Sequence, residues 1–359
     1  MHSLTDDLRI TGQRPLLAPA ILAGELPADA TAQQFVARSR RTVEAILTGT
    51  DDRLLVVVGP CSVHDPAAAL DYARQLRPAA DRLAADLFVV LRVYFEKPRT
   101  IGGWKGLIND PELDGSFQIN QGLRLARGLL LEVARAGLPA GTEFLDTIFG
   151  QYFADLVTWG GIGARTTESQ IHRELASGLS MPVGFKNRTD GEVQVAVDAI
   201  RAARLPHWFP SLTKEGAPAI LSTSGNPHAH LVLRGGTRTG PNYGAAAVQS
   251  ALAALAHAGL RPAVMIDCSH GNSGKDPAQQ PVVATVVAGQ IAAGQAGIAG
   301  VMLESHLVGG RQEPGPPASL QYGKSITDGC LALADTLPVL ETLAAAVRQR
   351  RHGPPVPTI

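Results

Sequence analysis

The chain has 359 residues, 45% of them hydrophobic, with 32 Lys and Arg balanced by 32 Asp and Glu; this suits one large α/β domain with an appendage, or two ordinary domains. Formal neutrality gives no electrostatic ground for a nucleic-acid or acidic-membrane partner, and the longest apolar runs are far too short to span a bilayer. The N-terminal MHSLTDDLRI lacks the apolar stretch of a secretory signal, and Cys61, Cys268 and Cys330 cannot all pair with one another, so a cytoplasmic protein acting on small molecules is expected.

Taken in chain order, an extended piece at 8–10 precedes a helix over 31–48 stopped by Gly49. Residues 1–50 therefore read as an N-terminal extension, of a kind that serves oligomer contacts or regulation. Short β-branched runs follow at 54–58, 87–94, 141–145, 161–165, 183–186, 231–234, 264–268 and 300–304. Stretches with helical spacing lie between them, at 66–84, 118–136, 191–203, 244–258 and 281–293. Alternating strand and helix implies parallel strands joined by crossovers, and eight such units suit a TIM (β/α)8 barrel over 51–350. A doubly wound open sheet is the competing arrangement. The segment 208–223, two apolar pieces around Lys-Glu-Gly, predicts a β-hairpin inserted before the sixth barrel strand.

Several of these apolar runs end on a cation. Placed on a barrel, Arg92, Lys97, Arg165, Lys186 and Arg234 lie at or just beyond C-terminal strand ends, where barrel enzymes hold their active sites. Like charges gathered at one mouth are costly unless an anion compensates them. A small ligand with several negative charges is the expected partner, because arginine offers a planar fork to carboxylate and phosphate while lysine offers a compact charge. The same rim collects Cys61 in GPCSVHD, His270 in IDCSHGN, Glu304 in MLESH and Asp328 in SITDGC. One thiolate, one imidazole and two carboxylates make a plausible site for a single divalent metal ion, with Mn, Fe, Co and Zn all acceptable. The spacing matches no compact metal motif, so this reading depends on the barrel.

The blocks GPCSVHDP, RVYFEKPRTIGGWKGLINDP, GARTTESQIHRELASGLSMPVGFKNRTDG, LRGG, DCSHGNS, ESHLVGG and YGKSITDGC closely resemble the type I alpha class of 3-deoxy-D-arabino-heptulosonate 7-phosphate (DAHP) synthase. The resemblance implies a TIM barrel that condenses phosphoenolpyruvate with erythrose 4-phosphate at the head of the shikimate pathway. It also implies site roles. Arg92, Lys97, Arg165, Lys186 and Arg234, with the backbone at Gly163 and Ala164, resemble the phosphoenolpyruvate site, and Arg99, Thr100 and Asp328 the erythrose 4-phosphate contacts. Cys61, His270, Glu304 and Asp328 resemble the metal ligands, and Lys97, Lys186 and Asp328 the catalytic groups, with Lys97 ahead of Lys186 as proton donor. Feedback inhibition by an aromatic amino acid is further implied, at a site resembled by Asp7, Ile10, Gln151, Ser180, Phe209 and Ser211. Ser211 points to phenylalanine, whereas Trp208 and Pro210 depart from the usual pattern. A homodimer or homotetramer is expected. The alternatives are a 3-deoxy-octulosonate 8-phosphate synthase and a non-catalytic amino-acid sensor.

Overall fold

The computed structural model describes residues 5–353, so the first four residues of the expected 1–50 extension lie outside the described residues. Two helices, α1 (Pro19–Glu25) and α2 (Ala30–Thr48), precede the first strand. Strand and helix then alternate through β1 (Leu54–Gly59), α3 (Pro66–Arg82), β2 (Leu87–Arg92), α4 (Ile119–Arg135), β3 (Ala140–Glu143) and α5 (Gly150–Phe153). The series continues with β4 (Trp159–Ile162), α6 (Gln170–Gly178), β5 (Val183–Lys186) and α7 (Gln194–Ala203). An antiparallel hairpin, β6 (Trp208–Leu212) with β7 (Pro218–Ser222), comes before β8 (His230–Leu233), α8 (Ala245–His257), β9 (Val264–Asp267), α9 (Gln280–Ala292) and β10 (Ile298–His306). Short strands β11 (Val308–Arg311), β12 (Lys324–Ser325) and β13 (Leu331–Ala332) lead into α10 (Leu333–His352).

Strands β1, β2, β3, β4, β5, β8, β9 and β10 pair in that order, all parallel, and β10 pairs back onto β1 through Leu55–Gly300 to Gly59–Glu304. The sheet is thus a closed (β/α)8 barrel, and the β6–β7 hairpin forms a separate two-stranded sheet inserted in the chain before the sixth barrel strand. Some details differ from the expectation. Residues 8–10 form a turn, with Asp7 at φ +56° and the Ile10 N–H donating to Asp7 O at 3.0 Å, and no strand among the described residues pairs with them. The fourth strand begins at Trp159 rather than at 161, a shift hidden by a glycine-rich stretch that carries little β-branched signal.

Side-chain alternation along the strands divides the apolar residues into two cores. Leu54, Val56, Val58, Leu87, Val89, Leu91, Leu231 and Leu233 face the surrounding helices. Leu55, Val57, Val90, Val232, Met265 and Met302 face the barrel interior. That interior is filled largely by Trp159, which is fully buried. The adjacent strand β5 leaves room for the indole by carrying glycine: a Cβ on Gly184 would lie 2.6 Å from Trp159 Cζ2. Helix α2 adds Val43, Ile46 and Leu47 to the same interior cluster, beside Ala263 and Ala299 near the strand starts, and so plugs the N-terminal end of the barrel. Its own ends are set locally. Asp29 accepts from Ala32 N at 2.8 Å, and Gly49 stops the helix at φ +71°. With that end sealed by apolar side chains, the C-terminal mouth is the open end of the barrel. No helix among the described residues is long and apolar enough to cross a membrane.

Two predictions follow from the interior packing. Trp159→Ala removes the largest interior side chain and is expected to cost about 3–5 kcal/mol of stability, read from urea midpoints; a loss below about 1 kcal/mol would mean that the interior collapses around the gap. Trp159 Nε1 donates to His230 Nε2 at 3.1 Å, which holds that imidazole neutral, and burial pushes its pKa down to about 4. A folded-state pKa below the unfolded value of about 6.5 means stability that is complete above that pH and is lost as pH falls toward 4. His230→Gln should therefore flatten the stability profile across this window, and an unchanged slope would place the acid sensitivity elsewhere.

Candidate active site at the open mouth of the barrel

The strand ends deliver the polar groups. Arg92, the last residue of β2, is almost fully buried with its guanidinium 3.5 Å from the centre of the Tyr94 ring. It donates to Pro60 O at 3.0 Å, Cys61 O at 3.1 Å, Met302 Sδ at 3.1 Å and Glu304 Oε1 at 2.9 Å. Lys97 Nζ lies 3.0 Å from Cys61 Sγ. Burial works against the Lys97 ammonium, but Cys61 and Glu304 outweigh it and raise its pKa above the ordinary lysine range. Lys186, ending β5, donates from Nζ to Asp267 Oδ2 at 2.8 Å. Arg234, just past β8, is buried, and burial together with the nearby charge of Arg165 pulls its pKa down against the opposing pull of Asp267.

Not every expected ligand-binding residue is buried at this mouth. Arg165 is exposed on the turn after β4, and Gly163, with its carbonyl accepting from Thr166 N at 3.0 Å and Thr167 N at 2.9 Å, starts that turn beside Ala164. Arg99 and Thr100 are exposed on the loop after Lys97. That loop is held at its base by the Lys97 N–H donating to Lys105 O at 2.9 Å.

Cys61, Glu304 and Asp328 stand together, each offering one donor atom within 4.8 Å of the others. Ligands bound to one ion at about 2.0–2.3 Å would lie within about 4.6 Å of each other, so the three need little movement to share one. His270 approaches from the β9 side, with Nε2 3.7 Å from Glu304 Oε1. The set of one sulfur, one nitrogen and two carboxylates fits a borderline divalent ion. Burial and the Glu304 charge push the Cys61 thiol up against the pull of Lys97 and Arg92. Burial would raise Asp328 as well, but Lys97, His270 and Lys275 hold it below the usual carboxylate range.

Residues 28–341 match the DAHP synthetase I family. The Phe-sensitive phospho-2-dehydro-3-deoxyheptonate aldolase of Escherichia coli K12 is 56% identical over 353 residues, covering 98% of this chain and 100% of that one. A tyrosine-inhibited relative from Schizosaccharomyces pombe is 52% identical, covering 97% of this chain and 94% of its own length. A Trp-sensitive relative from Enterobacter agglomerans is 53% identical, with 96% and 99% covered. Among solved structures, the phospho-2-dehydro-3-deoxyheptonate aldolase of Francisella tularensis SCHU S4 superposes with a TM-score of 0.93 at 51% identity, covering 95% of this chain and 99% of that one. The chain belongs to the DAHP synthetase I family.

A second, larger cavity lies away from the mouth in this member of the DAHP synthetase I family. Gln151, Ser180, Phe209 and Ser211 line a space of about 610 Å³, together with Val36, Arg40 and Lys214. Phe209 is set by the hairpin register opposite Leu221, and Lys214 Nζ donates to Gln151 O at 2.6 Å. Asp7 and Ile10 do not line this cavity; both are exposed on the N-terminal turn.

Three buried acids at the mouth were not singled out from the sequence. Asp267 pairs with Lys186 and sits in the same IDCSHGN block as His270. Glu143, ending β3, packs against Gly163 so closely that a Cβ there would lie 2.1 Å from Oε1. Glu96, next to Lys97, is pushed up to about 8 by burial. None carries a local pattern. Each acquires its neighbours only when the barrel closes.

Proposed function

We propose that this protein condenses phosphoenolpyruvate with erythrose 4-phosphate and water to give DAHP and inorganic phosphate, the first step of the shikimate pathway, under feedback control by an aromatic amino acid. The observation that carries this reading is one barrel mouth where Lys97, Lys186 and Arg234 converge with a Cys61, Glu304 and Asp328 donor set, in a chain of this family. Arg165, Lys186 and Arg234 hold the carboxylate and phosphate of phosphoenolpyruvate, with the backbone of Gly163 and Ala164 alongside. Fixing both groups orients C3 toward the second substrate and lowers the entropic cost of the encounter. Arg92, through its four hydrogen bonds, holds Glu304 and the loop of Cys61 in place around the substrates. Arg99 and Thr100 receive the phosphate of erythrose 4-phosphate on the exposed loop, and Asp328 lies toward its hydroxyl groups.

Cys61, His270, Glu304 and Asp328 would hold one divalent ion, with Mn, Fe, Co or Zn suited to the set. Such an ion would polarise the aldehyde carbonyl as a Lewis acid. Lys97 Nζ, kept charged by its acidic neighbours, gives a proton to the aldehyde oxygen as C3 attacks. Lys186 is the next candidate for this transfer. Water adds at C2 of the resulting cation, and loss of phosphate by C–O cleavage leaves the keto acid. The reading includes a cytoplasmic homodimer or homotetramer, supported by the exposed apolar Trp208 and Ile220 on the hairpin. Residues 1–50 would serve as its regulatory and contact extension, bringing Asp7 and Ile10 to the effector site of a neighbouring subunit.

Phosphate release should require both substrates and be stimulated by Mn²⁺; turnover with arabinose 5-phosphate in place of erythrose 4-phosphate at an equal rate would overturn the substrate assignment. Lys97→Met should lower kcat by roughly 10²–10⁴-fold with the fold intact, and near-normal turnover would remove Lys97 as proton donor. For regulation, phenylalanine is the proposed effector, in the cavity of Ser180, Phe209 and Ser211. Ser180→Trp should abolish inhibition by phenylalanine at unchanged basal turnover, whereas inhibition that persists in this variant would move the effector elsewhere.

A further inference from the structure

The structure assigns to Asp267 the part of a positioning residue that ties the metal-binding and anion-binding halves of the site to one carboxylate. This rests on the DAHP synthase reading given above. Asp267 ends β9 and is wholly buried. Its Oδ2 lies 2.8 Å from Lys186 Nζ and also 2.8 Å from His270 Nδ1. Its Oδ1 accepts from Ser269 N at 2.9 Å and from Ser269 Oγ at 2.6 Å. A carboxylate has about four acceptor positions, and these four contacts use them. The hydroxyl of Ser269, having donated to Asp267, turns a lone pair toward His270 Nδ1 at 2.7 Å.

The arrangement dictates which nitrogen of His270 carries a proton. Nδ1 faces two acceptors and must donate, which leaves the Nε2 lone pair on the side of Glu304 and the metal donors. His270 itself sits at φ +55°, a conformation disfavoured for a residue with a Cβ. Asp267 supplies the contact that holds the ring in that setting. The same oxygen aims the Lys186 ammonium from β5 across the mouth. One buried acid on a strand end therefore fixes the direction of a metal ligand and of a substrate cation, and a carboxamide could not replace it without turning an N–H toward a donor.

A role confined to neutralising Lys186 in the core would leave metal affinity untouched, so metal binding is the deciding measurement. Full-length wild type and Asp267→Asn, both stripped of metal, are titrated with Mn²⁺ alone, and the free ion is read by electron paramagnetic resonance. The variant should bind Mn²⁺ about 10–100-fold more weakly, as supporting groups of metal-bound histidines do, and should also lose turnover at saturating Mn²⁺. If wild type binds Mn²⁺ and releases phosphate while the variant stays within about twofold in Mn²⁺ affinity, the role of Asp267 is overturned and the functional reading stands. Wild type that neither binds Mn²⁺ nor turns over would overturn both. Should the variant fail to fold, ¹⁵N-histidine-labelled wild type without metal gives an independent reading: His270 must show a protonated Nδ1, and a bare Nδ1 rejects the inference.

Discussion

The ion pair between Arg92 and Glu304 is the constraint on which the site is built. Their contact is 2.9 Å and their side chains retain 1% and 2% exposure. Removing two such charges from water costs several kcal/mol per ion before any attraction is counted. The geometry compensates by satisfying the remaining donors of Arg92 on Pro60, Cys61 and Met302 and by stacking the guanidinium on Tyr94. A pair of this kind adds little to stability on balance, but it allows few alternatives. It locks strand β2 to strand β10 across β1 and sets Glu304 beside Cys61.

The remaining charges extend the same logic outward. Lys97 reaches Cys61, Lys186 reaches Asp267, and Asp267 reaches His270, which returns toward Glu304. Acidic groups and cations thus alternate, each sign partly offsetting the other among buried side chains. Such a site can receive an anion and a divalent ion together at a lower electrostatic cost than either alone, since each compensates charges left by the other. The opposite end of the barrel has the contrary character. There α2 and the Trp159 interior exclude water with apolar surface and leave the polar mouth as the place for chemistry.

Much of the barrel was legible because its signals are local. Leu54 to Val58 alternate between two cores and read as a strand wherever they occur, and Gly49 marks the end of α2 at the residue where it stops. The turn at 8–10 was misread for the opposite reason: a short apolar piece forms a strand only if a partner edge lies beside it, and the sequence does not reveal one. The fourth strand starts earlier than its β-branched signal because Gly160 makes room for Phe144, and Gly161 for Tyr94 and Trp159, at the expense of strand propensity.

The sequence by itself determined the repeating strand and helix pattern and the cations at the strand ends beside Cys61, His270 and Glu304, because parallel strands carry their C-terminal residues to the same rim. Tertiary structure alone decided which of these groups touch. Register between strands far apart in the chain put Asp267 between Lys186 and His270, set Glu143 against Gly163, and separated Asp7 and Ile10 from the cavity of Ser180, Phe209 and Ser211. The physical reason is that a buried charge is defined by its partners, and in a closed barrel those partners come from other strands.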